Sequence, residues 1–141
     1  MTDFKKVFVD TAPIIYYLEN SPLYSEVVKR FFATCIEKNI KVVTSAVTVE
    51  EYLVYPYSSG QMDLADNFKR FLDYMNVEII DINSDIAEFA SKLRGQYKGF
   101  KAMDALQISS AIASECDMFF TNDRQLRQEK GMPCMTMEDL Q

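Results

Sequence analysis

The chain has 141 residues, of which 48% are hydrophobic, and it contains only four glycines and four prolines, so we expect residues 1–141 to form a single domain. It contains no histidine, which excludes histidine-ligated zinc and catalysis by a serine or cysteine that a histidine activates. The net charge of -6 argues against bulk electrostatic binding of nucleic acid, although divalent cations or a local group of basic residues can reverse the field at one site.

Strands and helices are predicted to alternate from the start of the chain. Residues 6–10 form a short apolar run that favours a buried strand, and this run stops at Asp10. Thr11 can cap a helix and Pro13 suits a first helical turn, so we predict a helix over residues 13–19. Ser21 and the proline after it predict the start of a second helix, whose apolar residues keep the spacing of an amphipathic stripe up to residue 36.

The middle of the chain continues this alternation. Residues 40–44 predict a second strand, and Ser45 is a candidate cap for a helix that ends at about residue 54, before Pro56 and the break at residues 58–60. The elements predicted next are a helix over residues 61–75, a strand over 77–80 and a helix over 84–97, with Phe89 among its inward residues.

The last third of the chain begins with a helix of unusual composition. Residues 102–114 are almost all small or apolar, with Asp104 as the only charge, so we predict a helix that packs between neighbours. A strand over residues 118–121, a short helix over 123–130 and a candidate fifth strand over 133–136 complete the chain. Strands separated by helices indicate an α/β fold with a mainly parallel sheet.

Acidic residues occupy the positions where such a sheet binds ligands. Ligands bind at the carboxyl ends of parallel strands, and Asp10 closes the first strand while Asp123 follows the fourth. Each residue alone is also a common turn former or helix cap. Asp104 is more informative, because a lone carboxylate in the first turn of an apolar helix needs a partner, a helix dipole or a metal.

Two adjacent glutamates lie on the helix after the second strand. Neighbouring helical residues point about 100° apart, so only one of them can face the edge of the sheet. Glu51, three residues after Thr48, is predicted to face inward, and Glu50 to be solvated. Four carboxylates without histidine or paired cysteines form an oxygen-only site that suits Mg²⁺ or Mn²⁺ and phosphoryl transfer.

Four segments resemble the four motifs of PIN domains, in the same order. They are VFVDT at residues 7–11, SAVTVEEYL at 45–53, AMDAL at 102–106 and FFTND at 119–123. The likeness covers about residues 6–133, and it is closest to small VapC-type toxins of bacterial toxin–antitoxin pairs. It implies a PIN-like three-layer fold with a central, mainly parallel sheet of four to five strands flanked by helices.

The resemblance also implies an activity and a set of site residues. It implies a Mg²⁺- or Mn²⁺-dependent endoribonuclease that hydrolyses RNA phosphodiester bonds by metal-activated water, forms a homodimer and is held silent by an antitoxin protein. The metal-binding and catalytic acids that it assigns are Asp10, Glu51, Asp104 and Asp123. Thr11 and Thr121 fall where the family places hydroxyls that orient the acids, and we add Asn122 as a third supporting residue.

The chain departs from the family pattern at Glu50, where a small residue is usual, and at residues 52–57, which carry aromatics and a proline. Its low net charge leaves contact with RNA to a few cations around the third and fourth motifs. These candidate rim residues are Arg94, Lys98, Lys101, Arg124 and Arg127. The alternative for them is an ordinary role as solvated residues at helix ends.

Three other functions are open to a chain of this kind. An aspartyl-phosphate phosphatase needs an acid two residues after its nucleophile, where this chain has Ala12. A phospho-receiver domain needs paired acids after its first strand and a lysine after its last, and neither is evident. A PIN fold that binds RNA or a partner without cutting remains the alternative, although all four acids are present.

The location of the protein is predicted from its apolar segments. Charges interrupt these segments well short of the roughly 20 residues that span a bilayer, and no apolar signal core follows the first lysines. We therefore expect a soluble cytoplasmic protein with no membrane partner.

Overall fold

The computed structural model describes residues 4–141, so the first three residues of the expected domain lie outside the described residues. Five strands form one sheet in the order β3-β2-β1-β4-β5, and every pairing is parallel. The strands are β1 (Lys6–Val9), β2 (Lys41–Ser45), β3 (Glu78–Ile80), β4 (Met118–Phe120) and β5 (Cys134–Met135). The predicted α/β fold with a mainly parallel sheet is confirmed.

Helices connect the strands and cover both faces of the sheet. They are α1 (Thr11–Leu18), α2 (Ser25–Glu37), α3 (Ala46–Ser59), α4 (Met62–Tyr74), α5 (Ser84–Gln96), α6 (Ala102–Ala113), a 3-10 helix (Arg124–Gln128) and α7 (Met137–Leu140). No helix among residues 4–141 combines the length and the apolar character that a crossing of a membrane requires.

The alternation of side chains along the strands creates two separate cores. Val7 and Val9 of β1 pack into a core with apolar residues of α1, α2 and α4, whereas Phe8 faces the opposite side, towards α5 and α6. Phe8 stacks there on Phe119 of the neighbouring strand β4, with ring centroids 5.2 Å apart. The sheet is therefore the middle of three layers, as the resemblance to PIN domains implies.

Two helices begin at other residues than the sequence predicts. Helix α1 begins at Thr11, because the carboxylate of Asp10 accepts a hydrogen bond from the backbone N–H of Thr11 and serves as the cap. Helix α2 begins at Ser25, four residues after the predicted start. Ser21 instead forms a separate turn, in which its carbonyl accepts from the N–H of Ser25 and its hydroxyl from the N–H of Tyr24.

Two further predictions about the helices are wrong, and one helix was not predicted. Helix α3 continues through Pro56, because a proline removes only its own N–H bond, and the helix ends at Gly60, whose φ of 71° suits a glycine cap. Phe89 is 37% exposed, since α5 is buried through Ile86, Ala90 and Leu93 instead. Helix α7 was not predicted, because its four residues are too short for a helical period to show.

Candidate active site

The four predicted acids come from four different elements at one edge of the sheet. Strand β1 is central, and the chain moves outward on one side of it to β2 and β3 before β4 pairs on its other side. In open parallel sheets a change of direction of this kind marks the place of the ligand crevice, here at the carboxyl ends of β1 and β4. Asp10 follows β1, and its backbone N–H donates to the carbonyl of Phe120 at 2.9 Å, while Asp123 follows β4.

Hydrogen bonds hold both carboxylate oxygens of Asp10. Its Oδ1 accepts from the backbone N–H of Thr11 at 2.9 Å and from Nε2 of Gln107 at 3.2 Å, and its Oδ2 accepts from the hydroxyl of Thr121 at 2.7 Å. Burial raises the pKa of Asp10, and these hydrogen bonds act in the opposite direction because they favour the ionised form. The carboxylate is therefore fixed in orientation from two sides.

Thr11 connects this acid to the glutamate of the second motif. Its hydroxyl is buried and donates to Oε1 of Glu51 at 2.7 Å. Glu51 is exposed, and its carboxylate reaches back from α3 to the first turn of α1. Glu50 lines a different surface, an apolar groove that also contains Val54 and Tyr57. The structure thus brings Glu51, and not Glu50, towards Asp10.

Thr121 connects Asp10 to the fourth acid. The same hydroxyl that donates to Asp10 accepts from the backbone N–H of Asp123 at 3.1 Å. Asp123 also caps the 3-10 helix, where its Oδ1 accepts from the N–H of Gln125 at 3.0 Å. Asn122 has another contact, since its amide donates to the hydroxyl of Tyr16 at 2.9 Å and so ties the loop after β4 to α1.

Asp104 lies in the first turn of α6, where it is half-buried. Its pKa is raised to about 6, with burial as the largest cause and the negative charges of Asp10 and Asp123 next. Glu51 adds a smaller effect of the same sign, while the backbone of Lys101 lowers the pKa. Asp104 therefore senses the charges of the other three acids in addition to its own burial.

The four acids are chemically suitable ligands for a hard divalent cation. All four side chains offer carboxylate oxygens, and their mutual repulsion is relieved by positive charge between them. Among residues 4–141, however, no three acidic or cysteine side chains lie close enough together to hold an ion as they stand. The acids would have to move closer together to hold a cation.

The five candidate rim residues are all exposed, but they fall into two groups. Arg124 forms an ion pair with Glu138, and Arg127 forms one with Asp139, so the two acids of α7 neutralise the arginines nearest to Asp123. The other three make no ion pair with any residue from 4 to 141; they are Arg94, Lys98 and Lys101. Only this second group is free to attract phosphates in this arrangement.

Sequence reasoning missed two buried polar residues beside the acids. Gln107 and Thr48 are 1% and 0% exposed, and an amide nitrogen of Gln107 contacts Asp10. One signal was available for Gln107, because it follows Asp104 by three residues and therefore shares its side of an otherwise apolar helix. Thr48 gave no comparable signal.

Comparison with known proteins supplies a family and a set of similar folds. The family model of the PIN domain matches residues 7–130. No curated protein matches the chain. Among solved structures, the chain resembles one from VapBC2 of Rickettsia felis bound to a DNA fragment of its promoter. The TM-score is 0.77 and the sequence identity is 18%, and the match covers 93% of this chain and 98% of that chain.

Two other solved structures show the same similarity of fold. A chain of a toxin–antitoxin complex from Klebsiella pneumoniae matches with a TM-score of 0.68 and 22% identity over 93% of this chain and 97% of that chain. VapC20 of Mycobacterium tuberculosis, a toxin that cleaves the sarcin–ricin loop, matches with a TM-score of 0.70 and 17% identity over 86% of this chain and 93% of that chain.

Proposed function

This chain belongs to the PIN domain family, and from that premise we propose that it is a Mg²⁺- or Mn²⁺-dependent endoribonuclease, the toxin of a toxin–antitoxin pair. The observation that carries the proposal is the convergence of four carboxylates at the crevice of the sheet, although they come from four elements far apart in the sequence. Thr11 contacts both Asp10 and Glu51, Thr121 contacts both Asp10 and Asp123, and the charges of these three acids add to burial in raising the pKa of Asp104.

The residues that would hold the ion are Asp10, Glu51, Asp104 and Asp123. A bound divalent ion supplies an activated water and stabilises the oxygen that leaves the phosphorus atom. Thr11 and Thr121 keep Asp10, Glu51 and Asp123 in relative position through the hydrogen bonds described above. The free cations Arg94, Lys98 and Lys101 bind the phosphates of the RNA on either side of the cleaved bond.

The similar structures and an exposed apolar surface each support one further part of the proposal. Several of them are toxin–antitoxin complexes, so an antitoxin is the proposed protein partner. The exposed apolar side chains of α3, among them Val54 and Tyr57, support a protein interface, and we assign it to a homodimer. We place this single nuclease domain of residues 1–141 in the cytoplasm.

The test is cleavage of RNA by the purified protein. We expect Mg²⁺ or Mn²⁺ to support cleavage, EDTA to abolish it, and the products to carry a 5′-phosphate and a 3′-hydroxyl. Asp10→Asn should abolish activity without unfolding, because asparagine remains a good helix cap. The matched control is Asp85→Asn, which removes an exposed acid from the first turn of α5, away from the crevice. Cleavage that survives excess EDTA, or 2′,3′-cyclic phosphate products, would contradict the proposal.

One observation favours a second function. The acids are not gathered closely enough to hold an ion as they stand, which is the arrangement expected of a PIN fold that binds RNA or a partner without cutting. Such a protein would retain RNA in a filter-binding assay and release no product with any divalent ion. Wild-type and Asp10→Asn proteins would then bind RNA equally.

A further inference from the structure

A buried polar network lies directly beneath the acids, and Gln107 is at its centre. The side chain lies in the middle of α6 and is 1% exposed. Its carbonyl Oε1 accepts from the hydroxyl of Ser45, and its Nε2 donates to Oδ1 of Asp10 at 3.2 Å and to the hydroxyl of Thr48 at 2.7 Å. One amide therefore uses its acceptor and both of its donor hydrogens.

The orientation of this amide is fixed by its neighbours. An ionised carboxylate can only accept hydrogen bonds, so the nitrogen of Gln107, and not its oxygen, must face Asp10. The hydroxyl of Ser45 accepts from the backbone N–H of Val47 at 3.1 Å, and its own proton is free for the carbonyl of Gln107. Because Ser45 caps α3, the amide joins that helix to the end of β1.

The network extends from Gln107 to the second carboxylate. Thr11 contacts Oε1 of Glu51 at 2.7 Å and the hydroxyl of Thr48 at 3.2 Å, but it has a single proton. The charged and closer acceptor takes that proton, so the contact between Thr11 and Thr48 depends on the proton of Thr48, whose hydroxyl also contacts that of Thr44 at 2.8 Å. Thr48 accepts from Gln107 at 2.7 Å, so contacts between polar groups connect Gln107 through Thr48 and Thr11 to Glu51.

We propose that Gln107 is a positioning residue that holds Asp10 directly, and Glu51 through Thr48 and Thr11, in the relative orientation that binds the divalent ion. The inference rests on the proposed function. Gln107 cannot touch the substrate, because it is buried behind Asp10, so it acts on the ion through the acids. Residues that hydrogen-bond to metal ligands change metal affinity or activity by about 10- to 100-fold when they are removed.

The variant that tests this role is Gln107→Met, because methionine has a similar shape but donates no hydrogen bond. We expect kcat for RNA cleavage to fall by about 10- to 100-fold, and the Kd for Mn²⁺ to rise by about the same factor. The KM for RNA should be unchanged, since no contact with RNA is lost. Mn²⁺ binding is measured by calorimetry without RNA, so this readout does not depend on activity.

The matched control is Ser109→Ala, which removes another buried hydrogen bond from the same helix. Ser109 is 1% exposed, and its hydroxyl donates to the carbonyl of Ile86 at 2.7 Å, on the side of α6 that faces α5. We expect wild-type kcat and wild-type Mn²⁺ affinity for this variant. If Gln107→Met does not fold, Thr48→Val breaks the connection to Glu51 and leaves the hydrogen bond from Gln107 to Asp10, so it should weaken Mn²⁺ binding by a smaller factor.

The outcomes separate this inference from the proposed function. If wild type cleaves RNA and Gln107→Met matches it in kcat and in Mn²⁺ affinity, the inference is overturned and the proposed function stands. A loss as large in Ser109→Ala as in Gln107→Met would also overturn it, because the effect would then be one of general stability. If wild type binds Mn²⁺ but does not cleave RNA, the proposed function is wrong. The Mn²⁺ affinities of wild type and Gln107→Met then still test whether Gln107 positions the acids.

Discussion

At the scale of single residues, the two adjacent glutamates of α3 offer the sharpest comparison. Glu51 accepts a hydrogen bond from the hydroxyl of Thr11, whereas Glu50 lines the apolar groove. Removal of a residue that only supports a metal ligand typically reduces activity by about 10- to 100-fold. Glu51→Gln should reduce the rate of RNA cleavage by more than this, because Glu51 is a proposed ligand itself. Glu50→Gln should leave cleavage near the wild-type rate, as measured in the same kinetic assay. The reverse result would mean that the wrong glutamate has been assigned to the ion.

The raised pKa of Asp104 predicts a dependence of stability on pH in the metal-free protein. Because the pKa in the folded state is about 6, above the ordinary value of 3.8, the stabilising contribution of this group is complete below 3.8. It is lost as pH rises through about 6. Asp104→Asn removes the charge, so the metal-free variant should melt at a higher temperature than wild type at pH 7.5, and the difference should shrink at pH 4.

Added metal should reverse the order of the melting temperatures, so that wild type melts above Asp104→Asn. A divalent ion that binds the folded state alone stabilises it by about 2.7 kcal/mol at a hundredfold excess over the Kd. We expect this gain for wild type and much less for Asp104→Asn, which lacks one of the four charges. Thermal melts with and without Mn²⁺ give the comparison. An equal shift in both proteins would make Asp104 a structural residue of the helix end.

At the scale of elements, α7 acts on the surface next to Asp123. Glu138 and Asp139 pair with Arg124 and Arg127, whose guanidinium groups would otherwise attract phosphates. Both ion pairs are exposed, so each contributes little to stability and can exchange for an RNA phosphate. Asp139 also forms a capping box with Thr136, which makes Glu138 the better residue to change.

Glu138→Gln should release Arg124 and increase the affinity for RNA. We expect a lower KM at low salt, an unchanged kcat, and loss of the difference at high salt, where exposed charges are screened. The control is Glu88→Gln, which removes one exposed charge from α5 and frees no arginine. An equal decrease of KM in both variants would show that only net charge matters.

At the scale of the whole molecule, the fold was predictable because short apolar runs end in polar residues at regular intervals. The same feature located the acids, since three of them follow a strand or begin a helix at one edge of the sheet. The ion pairs of α7 and the bond from Gln107 to Asp10 could not be predicted, because they join residues 12 to 97 positions apart through tertiary packing. The roles of the four acids stay predictions.

The proposed homodimer gives a prediction of mass. Val54 and Tyr57 are 54% and 51% exposed on α3, beside the edge strand β3. Light scattering at micromolar concentration should give twice the chain mass of 16.3 kDa, and Val54→Glu should give the mass of one chain, because a charge placed in an apolar interface opposes association. A wild-type monomer would contradict the homodimer.

The dispersal of the acids along the chain has a consequence for how the protein is made. The segment of β4 and Thr121, which supplies the carbonyl of Phe120 and the hydroxyl of Thr121 to Asp10, emerges from the ribosome more than a hundred residues after Asp10. Strand β1 cannot complete its pairing before then. A nascent chain therefore carries no assembled crevice until β4 has been made, and any nuclease activity arises only after that point.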